Sequence, residues 1–279
     1  MRRGWYEPAR YPWRRRPTPY RVLVSEVMLQ QTQASRVAPA FERFVRRFPS
    51  LRALARASRA EVIRAWAGLG HNRRAVALHE AARAVVRDHR GRIPSDPEVL
   101  RRLPGVGPYT AAAVAALAFG RPVPALDVNV GRVVARHRLG SDTASSEEIA
   151  EAAGRWLDRG DPAGWNQALM DLGRDVCRPR PRCGSCPLSR GCRFRRIGAI
   201  PSERPARHAR FAGSSREARG RVVSLLRDRS SAPLAILWSA AGMDPGRVTE
   251  AIRSLHRDGV VRAGPAALAG RPSGRIRLA

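Results

Sequence analysis

Apolar positions recur at helical spacing through the first 195 residues. Six of the eight residues from Val22 to Leu29 are apolar, so the stretch 20–33 predicts a helix buried over most of its surface. The same periodicity predicts helices over 36–48, 51–57, 61–66, 72–89, 109–119, 128–138, 146–158 and 165–176, with Ser58 and Asp96 suited to be N-caps. No segment before about residue 200 alternates as a strand does, so this part reads as all-α. Residues 1–17, rich in Arg and Pro with Trp5, Tyr6, Tyr11 and Trp13, read as an irregular arm laid over a domain. Residues 198–215 have the Pro, Gly and Ser content of a linker. Helical patterns then return at 217–227, 234–241 and 245–258. Two short strand-like runs follow, at 259–262 and 275–278, around a Gly/Pro-rich loop. Three helices and a β-hairpin describe a winged-helix-like α/β unit; the alternative is a helical tail packed on the main domain.

One loop interrupts the helical pattern in an informative way. Leu103-Pro-Gly-Val-Gly-Pro-Tyr-Thr110 places Gly105 and Gly107 before a helix that Pro108 starts. The amides of such a turn point outward at a helix N-terminus, where a DNA phosphate oxygen is well held. A helix–hairpin–helix has this form, although Gly-x-Gly alone also fits an ordinary helix–helix turn. Asp127 follows about 20 residues on and strengthens the DNA reading.

Charge adds to it. The formal net charge is +29, from 52 basic and 23 acidic residues, and every basic residue is Arg. Codon bias toward Arg accounts for the choice of cation but not for the scarcity of acids. The balance implies a polyanionic partner bound in a salt-dependent way. Without lysine there is no side-chain amine for a Schiff base, so a base-removing enzyme built on this chain would lack lysine-dependent strand cleavage. No apolar run reaches a membrane span and the first residues lack a signal-peptide core, so a cytoplasmic, nucleoid-associated protein is expected.

Two carboxylates stand out. Glu26 shares its helical face with Val22, Leu23, Leu29 and Gln30. Burial there raises a carboxylic acid's pKa and suits a general acid, whereas rotation to solvent or an Arg partner makes it an ordinary residue. Asp127 precedes a helix, so it is either an N-cap or a fixed negative group facing DNA, with Asn129 beside it to orient it or a water. Finally, the only four cysteines, Cys177, Cys183, Cys186 and Cys192, are spaced C-x5-C-x2-C-x5-C. Such clustering points to metal rather than disulfides. With a single C-x2-C, one 4Fe–4S cluster fits better than zinc. Seven arginines, at 178, 180, 182, 190, 193, 195 and 196, surround them.

Together these strings resemble the iron–sulfur helix–hairpin–helix DNA glycosylases, specifically the MutY-type adenine glycosylases. The resemblance rests on Tyr11-Pro-Trp13, Thr18-Pro-Tyr20, Ser25-Glu-Val-Met-Leu-Gln-Gln-Thr32, Gly68-Leu-Gly70, Leu103–Gly107, Tyr109-Thr110, Leu126-Asp127, Asn129-Val130, Ala168–Gly173 and the cysteines. It covers about residues 5–195. It implies a two-domain endonuclease III-like fold: an arm over 1–17, a helical barrel with the hairpin over 18–130 and a cluster domain over 131–197. A linker (198–215) and the winged-helix-like unit (216–279) follow. The implied activity is hydrolysis of the glycosidic bond of adenine mispaired with 8-oxoguanine or guanine, the nucleotide being flipped into a cleft between the helical domains. Related readings are a glycosylase for thymine or uracil opposite guanine, and a non-catalytic DNA-binding protein. The implied partner is double-stranded DNA with a mispair, bound by a monomer.

By the same resemblance Glu26 protonates adenine N7 and later activates water. Asp127 stabilises the sugar cation, and Tyr109 and Asn129 support the two acids. Gln31 and Thr32 lie at the opposite base, Trp13 and Arg14 near the adenine pocket, and Gly105 and Gly107 grip the backbone. The endonuclease III branch has Lys where Tyr109 stands. Three departures are visible. His71-Asn72 replaces a wedge Tyr after Gly70, the tail is too short for a Nudix-like domain, and the first cysteine gap is x5 rather than x6. The short tail resembles actinobacterial members and supplies Arg219, Arg221, Arg247 and Arg253 for non-specific grip.

Overall fold

The computed structural model describes residue 7, residues 9–201 and residues 211–279. Trp5, Tyr6 and the middle of the linker lie outside the described residues. In chain order the helices are α1 (Pro12–Arg15), α2 (Pro19–Leu29), α3 (Ala34–Arg47), α4 (Leu51–Arg56), α5 (Arg59–Ala65) and α6 (Arg73–Asp88). Next come α7 (Pro97–Arg101), α8 (Pro108–Phe119), α9 (Val128–Val134), α10 (Ser146–Trp156), α11 (Pro162–Asp175) and α12 (Arg193–Arg196). The C-terminal part has α13 (Ser215–Arg227), β1 (Ala232–Pro233), α14 (Leu234–Ala241), α15 (Pro245–Arg257), β2 (Val261–Ala263), α16 (Pro265–Leu268) and β3 (Arg275–Leu278). Before residue 200 the described residues contain no strand, in line with the helical periodicity. The arm is less irregular than its composition implies, because Pro12 at the first helical position lets Pro12–Arg15 complete one turn.

Two compact units divide the chain, one built from Met1–Gln30 with Arg92–Ala206, the other from Gln31–Gly91 with Arg207–Ala279. In the first, α2 packs on α8, α8 on α11, and α11 on α9. Close approach of α11 to α9 depends on Gly173: a Cβ there would sit 2.6 Å from both the Cβ and the carbonyl oxygen of Asn129. Val130, Val133, Val134, Ala153, Leu169 and Leu172 form the core of that contact. Beyond Val134 the helix widens into a π-helical turn over Ala135–Leu139, which ends at Gly140 in the left-handed conformation.

In the second unit, α4 and α5 pack on α6. Serine–glutamate capping starts α5, where Ser58 and Glu61 satisfy each other's backbone N–H groups. The C-terminal part joins this body: Ile63 of α5 and Val76 of α6 share one core with Val222, Leu226, Leu237, Ile252, Ile276 and Leu278. Its sheet is antiparallel with order β1-β3-β2, so the expected hairpin gains a third, edge strand. That strand ends at Pro233, which has no N–H to give to a ladder and is tolerated at an edge.

Candidate active site

Glu26 lies on α2, which Thr18 caps by accepting from the Arg21 N–H. Its neighbours Val22, Leu23, Val24, Val27 and Met28 are buried, and the same helical phase carries Glu26 inward to 3% exposure. Of the two sequence readings the buried one holds. Desolvation is the main cause that lifts its carboxyl to about 7, with the Asp127 charge adding to it. A hydrogen bond from Tyr109 and the Arg14 charge pull the other way without cancelling it. The Tyr109 hydroxyl donates to Glu26 Oε2 at 2.9 Å. Burial and the two carboxylates hold that phenol well above its ordinary range, so it stays a neutral donor.

Tyr109 is placed by the hairpin. Leu103–Gly107 connects α7 to α8, Gly105 takes φ +74°, and Gly107 is the N-cap of α8. Gln30, at the end of α2, bonds the Gly105 carbonyl at 3.3 Å and the Thr110 hydroxyl at 3.1 Å. Hairpin and acid-bearing helix are therefore clamped together.

Asp127 is the N-cap of α9. Its Oδ1 caps α9, accepting from the N–H groups of Asn129 at 3.0 Å and Val130 at 2.7 Å, while Oδ2 accepts from Asn129 Nδ2 at 2.8 Å. Three donors, two N–H groups of the first turn of α9 and the Asn129 amide, thus hold the carboxylate in one orientation. Val128 beside it is 79% exposed, so this end of α9 is open rather than sealed. Arg132, which sequence reading missed, extends the chain of bonds. It donates to Asn129 Oδ1 at 2.9 Å, to the Gly173 carbonyl at 2.6 Å and to the Cys177 carbonyl at 2.6 Å. Its i+3 spacing from Asn129 was the available signal.

Arg14 is buried and bidentate on Asp171, at 2.7 and 3.0 Å, with its guanidinium 5.3 Å from the Tyr11 ring centroid. Trp13 is 5% exposed and stacks on Tyr11 at 4.8 Å. Asp171 is a second residue missed as a site member, although it lies within the quoted string 168–173.

All four cysteines border one cavity of about 30 Å³, along with Arg136 and Phe194. Burial raises the thiols of Cys177 and Cys186. Arg136 opposes this at Cys177, its Nη1 standing 3.9 Å from the sulfur. Arg136 is itself fixed by Asp142 and by the carbonyls of Arg178 and Pro179. Among the described residues no three His, Cys, Asp or Glu side chains are gathered as a single-ion site.

The remaining site residues belong to the second unit and form their own constellation. Gln31 (φ +54°) and His71 (φ +43°) are exposed residues in left-handed conformations that non-glycine residues rarely adopt. The loop 66–72 between them is held by Arg74, which donates to Thr32 Oγ1 at 2.9 Å and to the Leu69 carbonyl at 3.1 Å. Arg36 holds the Gly68 carbonyl at 2.6 Å, and Trp66 Nε1 the Gly70 carbonyl at 3.1 Å. Partial burial and the charges of Arg74, Arg216 and Arg219 lower the His71 pKa, so its ring is neutral at neutral pH.

Residues 24–159 match the family model described as HhH-GPD superfamily base excision DNA repair protein. The chain is 41% identical over 268 residues to an adenine DNA glycosylase of Mycolicibacterium smegmatis, covering 92% of this chain and 90% of that protein. A human adenine DNA glycosylase is 42% identical over 208 residues, 69% of this chain and 38% of that one. A solved thermostable thymine-DNA glycosylase superposes with TM-score 0.62 at 32% identity, over 67% of this chain and 88% of that chain. An endonuclease III in non-covalent complex with DNA shares the fold, with TM-score 0.58 at 24% identity, over 66% of this chain and 86% of that one. This chain belongs to the HhH-GPD superfamily of base excision DNA repair glycosylases. Within it the full-length likeness is to the adenine DNA glycosylases.

Proposed function

We propose that this protein hydrolyses the bond between adenine and deoxyribose where adenine is mispaired with 8-oxoguanine or guanine. The observation that carries the reading is the group of Glu26, Tyr109 and Asp127 within one unit, with one carboxyl raised to about 7 and the other pinned by three hydrogen bonds. A carboxyl of that strength holds its proton part of the time at neutral pH and gives it up readily. Glu26 donates to adenine N7 as the bond from sugar C1′ to N9 breaks and its electron pair leaves with the base. Asp127 stabilises the sugar cation. Water then adds at C1′ and its proton passes to the Glu26 carboxylate, which restores the acid. Tyr109 orients Glu26, and Asn129, braced by Arg132, orients Asp127. There is no lysine in the chain, so no side-chain Schiff base cuts the strand.

Carried from the sequence resemblance, Arg14 with Trp13 borders the base, Gln31, Thr32 and the neutral ring of His71 meet the opposite strand, and the Gly105–Gly107 turn holds a phosphate. Cys177, Cys183, Cys186 and Cys192 would hold one 4Fe–4S cluster. The donor set fits it: four thiols around a cavity, with Arg136 and Arg132 at hand to offset an anionic group. When bound, the cluster supplies a structural staple for the basic loop. The protein acts as a monomer on DNA in the cytoplasm.

The test is a panel of duplexes. The protein should release adenine from A opposite 8-oxoguanine or G, and Glu26→Gln should abolish release while binding persists. Release of thymine from G:T, the substrate type named for the solved relative, would transfer the enzyme to that class. Inactivity on every mismatch would leave only a DNA-binding protein.

A further inference from the structure

The C-terminal sheet has two faces of opposite chemistry. Val261, Ala263, Ile276 and Leu278 are buried, while the alternate positions Arg262, Arg275 and Arg277 are all exposed. Arg262 and Arg277 stand directly opposite each other across β2 and β3, and Arg275 is the next outward position on β3. Like charges in register weaken strand pairing, so this arrangement is a cost to the fold. Among the described residues none of the three has a carboxylate at ion-pair distance; Arg275 donates to the Ser231 hydroxyl at 2.6 Å.

Elsewhere in the C-terminal part most of the described guanidinium groups bond to other protein groups. On α15, the third helix of the unit and the counterpart of a groove-reading helix, Arg247 donates to the Gly213 carbonyl, Arg253 to the Leu268 carbonyl at 2.9 Å, and Arg257 to Glu250 at 3.3 Å. On α13, Arg219 bonds Asp258 at 2.5 Å, and Arg221 bonds Glu217 at 2.7 Å. Four of the arginines expected to grip DNA, at 219, 221, 247 and 253, thus serve internal bonds. The sheet face instead gathers three exposed cations side by side with no carboxylate at ion-pair distance.

We propose that the outward face of β2 and β3 binds the phosphodiester backbone of duplex DNA through Arg262, Arg275 and Arg277. Guanidinium forks match phosphate oxygens two at a time. A contact made to phosphates carries no sequence information, so an undamaged duplex of any sequence should be bound through this face. Its phosphates relieve the repulsion between Arg262 and Arg277 that no protein group relieves.

The experiment measures affinity of the full chain for an undamaged duplex across a salt series, which does not depend on the base excised. Changing Arg262, Arg275 and Arg277 together to Gln should lower the log–log salt slope by about 2.7, at 0.9 per phosphate contact. A charge-matched control changes Arg87, Arg101 and Arg155 to Gln, each exposed and already paired with a neighbouring carboxylate. It should change the slope by less than one contact's worth. Single-turnover adenine release from a saturating A:8-oxoguanine duplex should be unchanged in both. Arg277→Glu separates grip from structure, because it puts a carboxylate opposite Arg262. Thermal stability should hold or rise while the slope falls by about 1.8, two contacts being lost. If the triple variant matches the control, or if Arg277→Glu loses stability and DNA binding together, the proposal fails and the face is left to an acidic protein partner.

Discussion

Glu26 illustrates how a single side chain sets stability against function. Its carboxyl titrates near 4.5 in the unfolded chain and about 7 in the folded one. Below about pH 4.5 both states are protonated and nothing is lost. As the pH rises through 4.5 to 7, the unfolded chain releases its proton first, so the folded state becomes relatively less stable. Glu26→Gln does not titrate, and its amide oxygen still accepts from Tyr109. The variant should therefore melt with the wild type at pH 4 and above it at pH 8, by a few kcal/mol of stability. A melting series across that range checks this; a variant less stable than the wild type at pH 8 would show that the buried carboxylate is compensated. The same titration predicts that adenine release slows above pH 7, as the acid form is depleted.

At the scale of elements, the loop after α11 departs from the rest of its unit. Residues 177–192 include no buried residue and form only two short 3₁₀ turns, Cys183–Ser185 and Ser189–Gly191. Only Leu188 and two of the cysteines pack, partly buried, on the neighbouring core, so apolar burial holds this segment weakly. In the proposed reading, a cluster held by the four thiols around one cavity supplies a further attachment. Protein prepared without air should contain iron and the visible absorption of an iron–sulfur cluster. Cys186→Ser should reduce the iron content and open 177–192 to proteolysis. Colourless, zinc-containing protein would refute the cluster, and an equally resistant loop would refute its role as a staple. The neighbouring α9 and α11 work by the opposite principle: Gly173 lets two backbones touch, and Arg132 then reaches Asn129, Gly173 and Cys177 at once.

For the whole molecule, the consequential feature is that the C-terminal residues complete the body that contains 31–91. Ile63 is fully buried and Val76 nearly so, in a core that the C-terminal helices and sheet provide. Arg59 and Arg64 add bonds to the carbonyls of Gly259 and Arg227, at 3.4 and 2.9 Å. Uncovering an aliphatic side chain costs about 1.5–3 kcal/mol, a large part of a domain's stability. A chain ending at residue 201 should accordingly melt lower and aggregate more than the full chain. Equal melting would mean that 31–91 is self-sufficient and the C-terminal part a mere passenger.

Much of this was legible in the order of residues. The helical periodicity, the Gly-Val-Gly turn ahead of Pro108, the string around Glu26 and the cysteine spacing are local patterns, and local backbone and side-chain chemistry fixes what they build. Burial of Glu26 was half legible: its apolar face was visible, but whether that face met α8 or water was not. Three things came only from packing. Arg132 bridges three segments, Asp171 claims Arg14, and three C-terminal arginines gather on one sheet face without a carboxylate partner. Each depends on which distant groups meet, and in a chain whose 52 cations are all Arg no one of them is distinguished by type. Composition determined that this protein binds a polyanion, and motif spacing determined the chemistry available to it. The tertiary structure alone decided which charges are free to be used, because a guanidinium's availability is set by its neighbours in space.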